Sequence, residues 1–180
     1  MKKSIAILAI LFTMAGQAQV SKVTIQASGL TCSLCSNAIN KALKSVPYVE
    51  NVTPNIKQSS FEVTFKPGAS VHFDDLKKKV EDAGFFVARF TATMQFDNIP
   101  VSPDAHVNIG GMMVHFLHVK DKVLSGEQEI QVLDKGYVSA KEFRKNAVFT
   151  KMDCYKTGVA GSCCTKSGTT AGKRIYHITI

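Results

Sequence analysis

Between Val23 and Phe90 the apolar residues switch repeatedly between a spacing of two and a helical spacing, and this alternation constrains the fold more than anything else in the chain. Val23, Ile25 and Ala27 alternate with polar residues, as in a strand with one buried face. From Cys35 onward, Ala38, Ile39, Ala42, Leu43 and Val46 form the stripe of an amphipathic helix, which Pro47 stops. Val49 to Asn55 predicts a second strand, and Pro54 within it favours a sheet edge. Phe61, Val63 and Phe65 mark a third strand, and Pro67-Gly68 turns the chain. Phe73, Leu76, Val80 and Ala83 give a second helical stripe closed by Gly84, and Phe86 to Phe90 a fourth strand. The order β-α-β-β-α-β predicts an α+β, ferredoxin-like unit with both helices on one face of an antiparallel sheet.

Cys32 and Cys35 sit where the first strand gives way to the first helix. Thiolates select soft cations, and the unpaired N–H groups and positive dipole end of an opening helix favour thiolate over thiol. Two sulfurs suffice for Cu(I) or Hg(II), which accept linear coordination. Zn(II) wants four ligands, and only two stand close in sequence. Cu(I) is therefore the leading expectation, with Hg(II), Zn(II) or another soft ion behind it. A Cys-x-x-Cys also marks redox enzymes, so a thiol-disulfide oxidoreductase is an alternative. Against it, the chain has no Trp and no proline before the third strand at the place where thioredoxin-like folds set one near the thiols. A structural disulfide is a further alternative.

The run Gly29-x-Thr31-Cys32-x-x-Cys35 after the first strand, with Ala83-Gly84-Phe85 after the second helix, resembles the heavy-metal-associated domain over residues 21–91. That module occurs in copper chaperones, in the amino-terminal repeats of copper-pumping ATPases and in periplasmic mercury-binding proteins. The family usually has Met before the Thr. Leu30 fills that place here, an apolar plug of similar volume. The resemblance implies a metal carrier rather than an enzyme, with Cys32 and Cys35 as ligands and Leu30, Thr31 and Phe85 beside them. It also implies ligand exchange with a thiol-bearing partner protein.

Lys2, Lys3 and the apolar run Ile5 to Phe12, followed by Gly16 and Ala18, read as a signal peptide over residues 1–18. The run is short for a bilayer span. The expectation is a periplasmic or otherwise exported chain with no stable membrane insertion after cleavage. Residues 19–91 carry 9 basic and 6 acidic residues and residues 92–180 carry 11 and 8, so the positive charge is spread evenly. Without a concentrated basic patch, nucleic acid is not an expected partner.

Residues 92–180 read as a second, small, mainly β domain, and the expected architecture is a partly open barrel of the OB type. Met112 to Lys120 and Glu127 to Leu133 predict strands, and Arg174 to Ile180 a closing strand. Ser139 with Glu142 forms a capping box for a helix to about Lys145. Thr157 to Lys173 reads as a mobile Cys- and Gly-rich loop. Of the five cysteines, Cys154, Cys163 and Cys164 remain, either as a second soft-metal site or as a disulfide staple with one sulfur left over. Met112, Met113, His115 and His118 suggest copper, but His115 and His118 have opposite parity and leave opposite faces of a regular strand. Met113 and His115 share a face, and core packing is the expectation for both methionines. His72, His106 and His177 stand alone in the sequence and receive no role. A structural or interaction module is the remaining reading of the whole chain.

Overall fold

The computed structural model describes residues 20–30, 33–165 and 169–180. The leader expected over residues 1–18, and Thr31 and Cys32, lie outside the described residues. The first half follows the expected order: β1 (Val20–Ser28), α1 (Ser33–Lys44), β2 (Val49–Asn55), β3 (Ser60–Phe65), α2 (Phe73–Asp82) and β4 (Phe86–Val101). β2 stands at the sheet edge, which leaves Pro54 an unpaired side. Its strands run β2-β3-β1-β4, all antiparallel, with β1 held between β3 and β4.

β4 runs eleven residues past Phe90, where the strand was expected to end. It pairs with β1 through Val20↔Met94 to Ser28↔Phe86 and with β7 (Lys122–Val132) on its other edge. The boundary expected at 91/92 therefore falls inside a strand shared by both halves. A bulge between Phe96 and Ile99, where Asn98 has φ +48°, lets β4 bend and tolerate Pro100.

The second half adds β5 (His106–Ile109), β6 (Met112–Phe116), β7 and β8 (Ile175–Thr179), giving the order β2-β3-β1-β4-β7-β8-β6-β5. Gly110 and Gly111, with φ +57° and +85°, close the two-residue β5–β6 hairpin, a turn that requires positive φ at both positions. β6 ends at Phe116 rather than Lys120, because His118 turns left-handed at φ +53°. The last strand, β8, slots between β7 and β6, antiparallel to the first and parallel to the second. No pairing joins β2 to β5 among the described residues, so the sheet is open and the barrel expectation finds no support in the strand order.

One core fills the α1/α2 face. Ile39, Leu43, Phe73, Leu76 and Val80 from the helices meet Ile25, Val63 and Phe90, and the same cluster takes in Val114, Phe116, Tyr137, Tyr176 and Ile178. Phe73 lies 5.0 Å from Phe90 and 5.2 Å from Tyr176, ring centre to centre, so α2 packs on both halves. The opposite face of β6 and β8 is also buried. It is covered by α3 (Ala140–Asn146), α4 (Cys154–Thr157) and α5 (Ser162–Thr165), through Met113, Ile175, Cys154, Ala160 and Cys164 in one cluster and Leu117, Leu133, Val138 and Tyr155 in another. Within the stretch 157–173, expected as a mobile loop, Ala160, Cys164 and Thr169 are buried. That second face holds the polar residues of interest.

Candidate metal centres

The first centre lies at one end of the sheet. Gly29, at φ +82°, takes the chain out of β1, and Leu30 packs part-buried against the core. Cys35 stands in the first turn of α1, at the positive end of the helix dipole, and no acidic side chain stands in that turn. The register Ser28↔Phe86 brings the loop after α2 to the same end, and Ser28 Oγ donates to the Phe86 carbonyl at 3.3 Å. Gly84, at φ +87°, makes that turn, with the Phe85 N–H bonded to the Val80 carbonyl. Phe85 follows that turn and is part-buried against the core. Leu34 is 78% exposed and Phe86 72%, so the same end carries apolar surface.

The second centre is built by strand register. His106 on β5 pairs directly with His115 on β6, and His115 pairs directly with His177 on β8. Three imidazoles thus stand in a row across three strands, on the face away from α1 and α2. The His106 and His115 rings stack 4.2 Å apart, and the His115 and His177 ring centres are 4.9 Å apart. α4 places Cys154 over them. Its Sγ lies 3.5 Å from His177 Nε2, 3.6 Å from His115 Nδ1 and 3.9 Å from His106 Nε2. Cys154 Sγ is also within 4.8 Å of the Cys163 and Cys164 sulfurs, which are themselves 3.3 Å apart. At that separation Cys163 and Cys164 are thiols, not a disulfide, as is Cys154.

Carboxylates hold two of the rings from behind. His115 Nε2 meets Asp104 Oδ1 at 3.0 Å, and His177 Nδ1 meets Asp134 Oδ1 at 2.6 Å. Asp134 is buried and is held in turn by Arg174 at 3.1 Å. Arg174 also grips Asp74 at the start of α2, and Asp74 accepts from Tyr137 and Tyr176 at 2.6 and 3.0 Å. Burial works against the Asp74 carboxylate, but Arg174 and the two tyrosine hydroxyls outweigh it and lower its pKa.

Burial, then the neighbouring charge of His177 and His106, drives the His115 pKa down, while Asp104 opposes. His106 is shifted the same way, by burial first. Burial, reinforced by the Cys164 and Cys163 thiols, pushes the Cys154 thiol up. Burial also acts to raise Cys163, but backbone hydrogen bonding at Cys154 and Gly161 and the two neighbouring thiols prevail, so it is lowered. Cys163 is the part-exposed member of the three.

Cys154, Cys163 and Cys164, singled out from the sequence, come together. His106, His115 and His177 join them although only His115 had drawn notice. Each lies on a different strand, far from the others in the chain. The register that aligns them was the only signal, and it depends on β8 inserting beside β6. His118 does turn away from His115, stacking on Phe149 at 4.1 Å. Met113 is buried beside Cys154 and Cys164, its sulfur accepting from Thr169 Oγ1 at 3.6 Å.

A family profile described as "Heavy-metal-associated domain" matches residues 24–86. The chain is 36% identical over 86 residues to the mercuric transport protein periplasmic component of Serratia marcescens, covering 47% of this chain and 93% of that one. It is 30% identical over 66 residues to the probable copper-transporting ATPase HMA5 of Arabidopsis thaliana, covering 37% of this chain but 6% of the ATPase. Oxidised MerP from Ralstonia metallidurans CH34 superposes with a TM-score of 0.36 at 30% identity, covering 39% of this chain and 96% of that one.

Proposed function

Because this chain belongs to the heavy-metal-associated domain family through residues 24–86, we propose that it is a carrier or buffer of soft metal ions, Cu(I) foremost, held by Cys32 and Cys35. The observation that carries this is the placement of Cys35 in the first turn of α1, at the mouth of the β1–α1 loop of a ferredoxin-like half. A thiolate there gains from the positive end of the helix dipole, and two sulfurs leave a low-coordinate ion open to a third. An incoming thiolate from a partner protein would join the resident pair before one of them leaves. The exposed Leu34 and Phe86 beside the loop supply apolar surface for such an encounter. No chemical transformation is part of this reading; the metal is cargo.

Two relatives inform the choice of ion. The Arabidopsis protein is named for copper transport and the Serratia protein for mercuric transport, so Hg(II) stands as the second reading. The name of the Serratia protein and the leader-like residues 1–18 both support export to a periplasmic space. Among the described residues no helix is long and apolar enough to cross a membrane.

Anaerobic titration of the reduced protein with Cu(I), and separately with Hg(II), tests the assignment. The Cys32→Ser/Cys35→Ser protein should take up one equivalent less than the wild type. Equal stoichiometry in the two proteins would remove the pair from the reading, and tighter retention of Hg(II) against a competing thiol would make mercury the cargo.

A further inference from the structure

Two imidazole lone pairs and one thiol converge at a buried point, and the thiol has one proton to offer. Asp104 accepts at His115 Nε2 and Asp134 at His177 Nδ1, which places the ring protons on those nitrogens. The inner nitrogens, His115 Nδ1 and His177 Nε2, then carry lone pairs, and both face Cys154 Sγ. Both rings are fully buried, as is Cys154, so no bulk water stands in for the missing donor. A single S–H satisfies one lone pair and leaves the other exposed to a low-dielectric interior, which is costly. His106 Nε2 adds a third nitrogen beside the same sulfur. A set of converging donors held from behind by carboxylates is the arrangement that orients histidines on a metal.

The spacings agree with a shared ion. With metal–sulfur and metal–nitrogen bonds of about 2.3 and 2.0–2.1 Å at a tetrahedral angle, sulfur and nitrogen stand about 3.6 Å apart. His115 Nδ1 and His106 Nε2 stand 3.6 and 3.9 Å from Cys154 Sγ, and the ligand atoms of these three residues lie within 4.8 Å of one another. We propose that Cys154, His106 and His115 form a second metal site, separate from the Cys32/Cys35 pair, for a d10 cation of borderline softness, Cu(I) or Zn(II), with His177 Nε2 beside the same sulfur at 3.5 Å. Imidazole and thiolate together suit both ions. On binding, the Cys154 S–H bond gives way to a sulfur–metal bond and the proton leaves to solvent. Cys163, part-exposed, and Cys164, buried, lie within 4.8 Å of Cys154 and provide a sulfur path from the surface to the buried donors.

The test uses the full chain carrying Cys32→Ser and Cys35→Ser, so its outcome is independent of the first site. The protein is loaded anaerobically with one equivalent of Cu(I) or, separately, of Zn(II), desalted, and examined by metal analysis and X-ray absorption. One retained equivalent with both nitrogen and sulfur neighbours is expected, and the arm that retains it against a calibrated chelator names the ion. Retention of neither ion by protein with a native circular dichroism spectrum would overturn the site, and so would a shell of sulfur alone, which would point to Cys154, Cys163 and Cys164 instead. Asp104 is 40% exposed, so Asp104→Asn should fold normally. It should weaken binding about 10–100-fold by releasing the His115 ring, and unchanged affinity would exclude His115 as a ligand.

Discussion

Gly84 ends α2 at φ +87°, and no atom lies within 4 Å of where a Cβ would stand. The cost of adding a side chain there is conformational rather than steric. Gly84→Ala should therefore lose about 1–2 kcal/mol, the penalty of left-handed backbone for an L-residue, read as a lower urea midpoint with an unchanged slope. Phe73 is a contrasting residue, limited by packing alone. It is fully buried between Phe90 and Tyr176. Phe73→Ala should cost about 3–5 kcal/mol in the same measurement, because a rigid core closes only partly over the void. Such residues announce themselves by type and period. His106 and His177 do not: each is the lone histidine in its own strand, and its meaning comes from what stands opposite it.

At the scale of elements, the reliable signals were local ones. Ser139 caps α3, its hydroxyl accepting from the Glu142 N–H at 3.2 Å, as the capping box predicts. Ser139→Ala should cost about 1 kcal/mol, and amide exchange in the first turn of α3 should quicken before that of β7. β2 was legible to the residue, since a turn bounds each end and Pro54 marks it as an edge. β4 was not, because its extension past Phe90 is stabilised by pairing with β7, and nothing between Thr91 and Val101 states that partner. β5 was missed for the same reason. Its four residues become a strand through the Gly110-Gly111 hairpin and β6.

For the whole molecule, the join between halves is a shared core under a polar clasp, in which Asp74 of α2 accepts from Arg174, Tyr137 and Tyr176. The Asp74 pKa is lowered in the folded chain from its ordinary value of 3.8. The stability this supplies is present in full above about pH 4 and drains away as pH falls through the lowered value, since the unfolded chain takes up the proton first. Urea midpoints of the wild type should fall on acidification below pH 4, and those of Asp74→Asn should fall less steeply over the same range. Equal slopes would show that the clasp does not couple to folding. The sequence alone determined the ferredoxin-like half, its edge strand, its turns and the Cys32/Cys35 motif, because hydrophobic period, capping and turn chemistry act over a few neighbouring residues. Only the tertiary structure decided that β8 lies between β7 and β6, that β4 serves both halves, and that three histidines ring Cys154. Those are outcomes of long-range strand pairing, chosen by the burial of both faces of β6 and β8 at once, and no short window of sequence contains that choice.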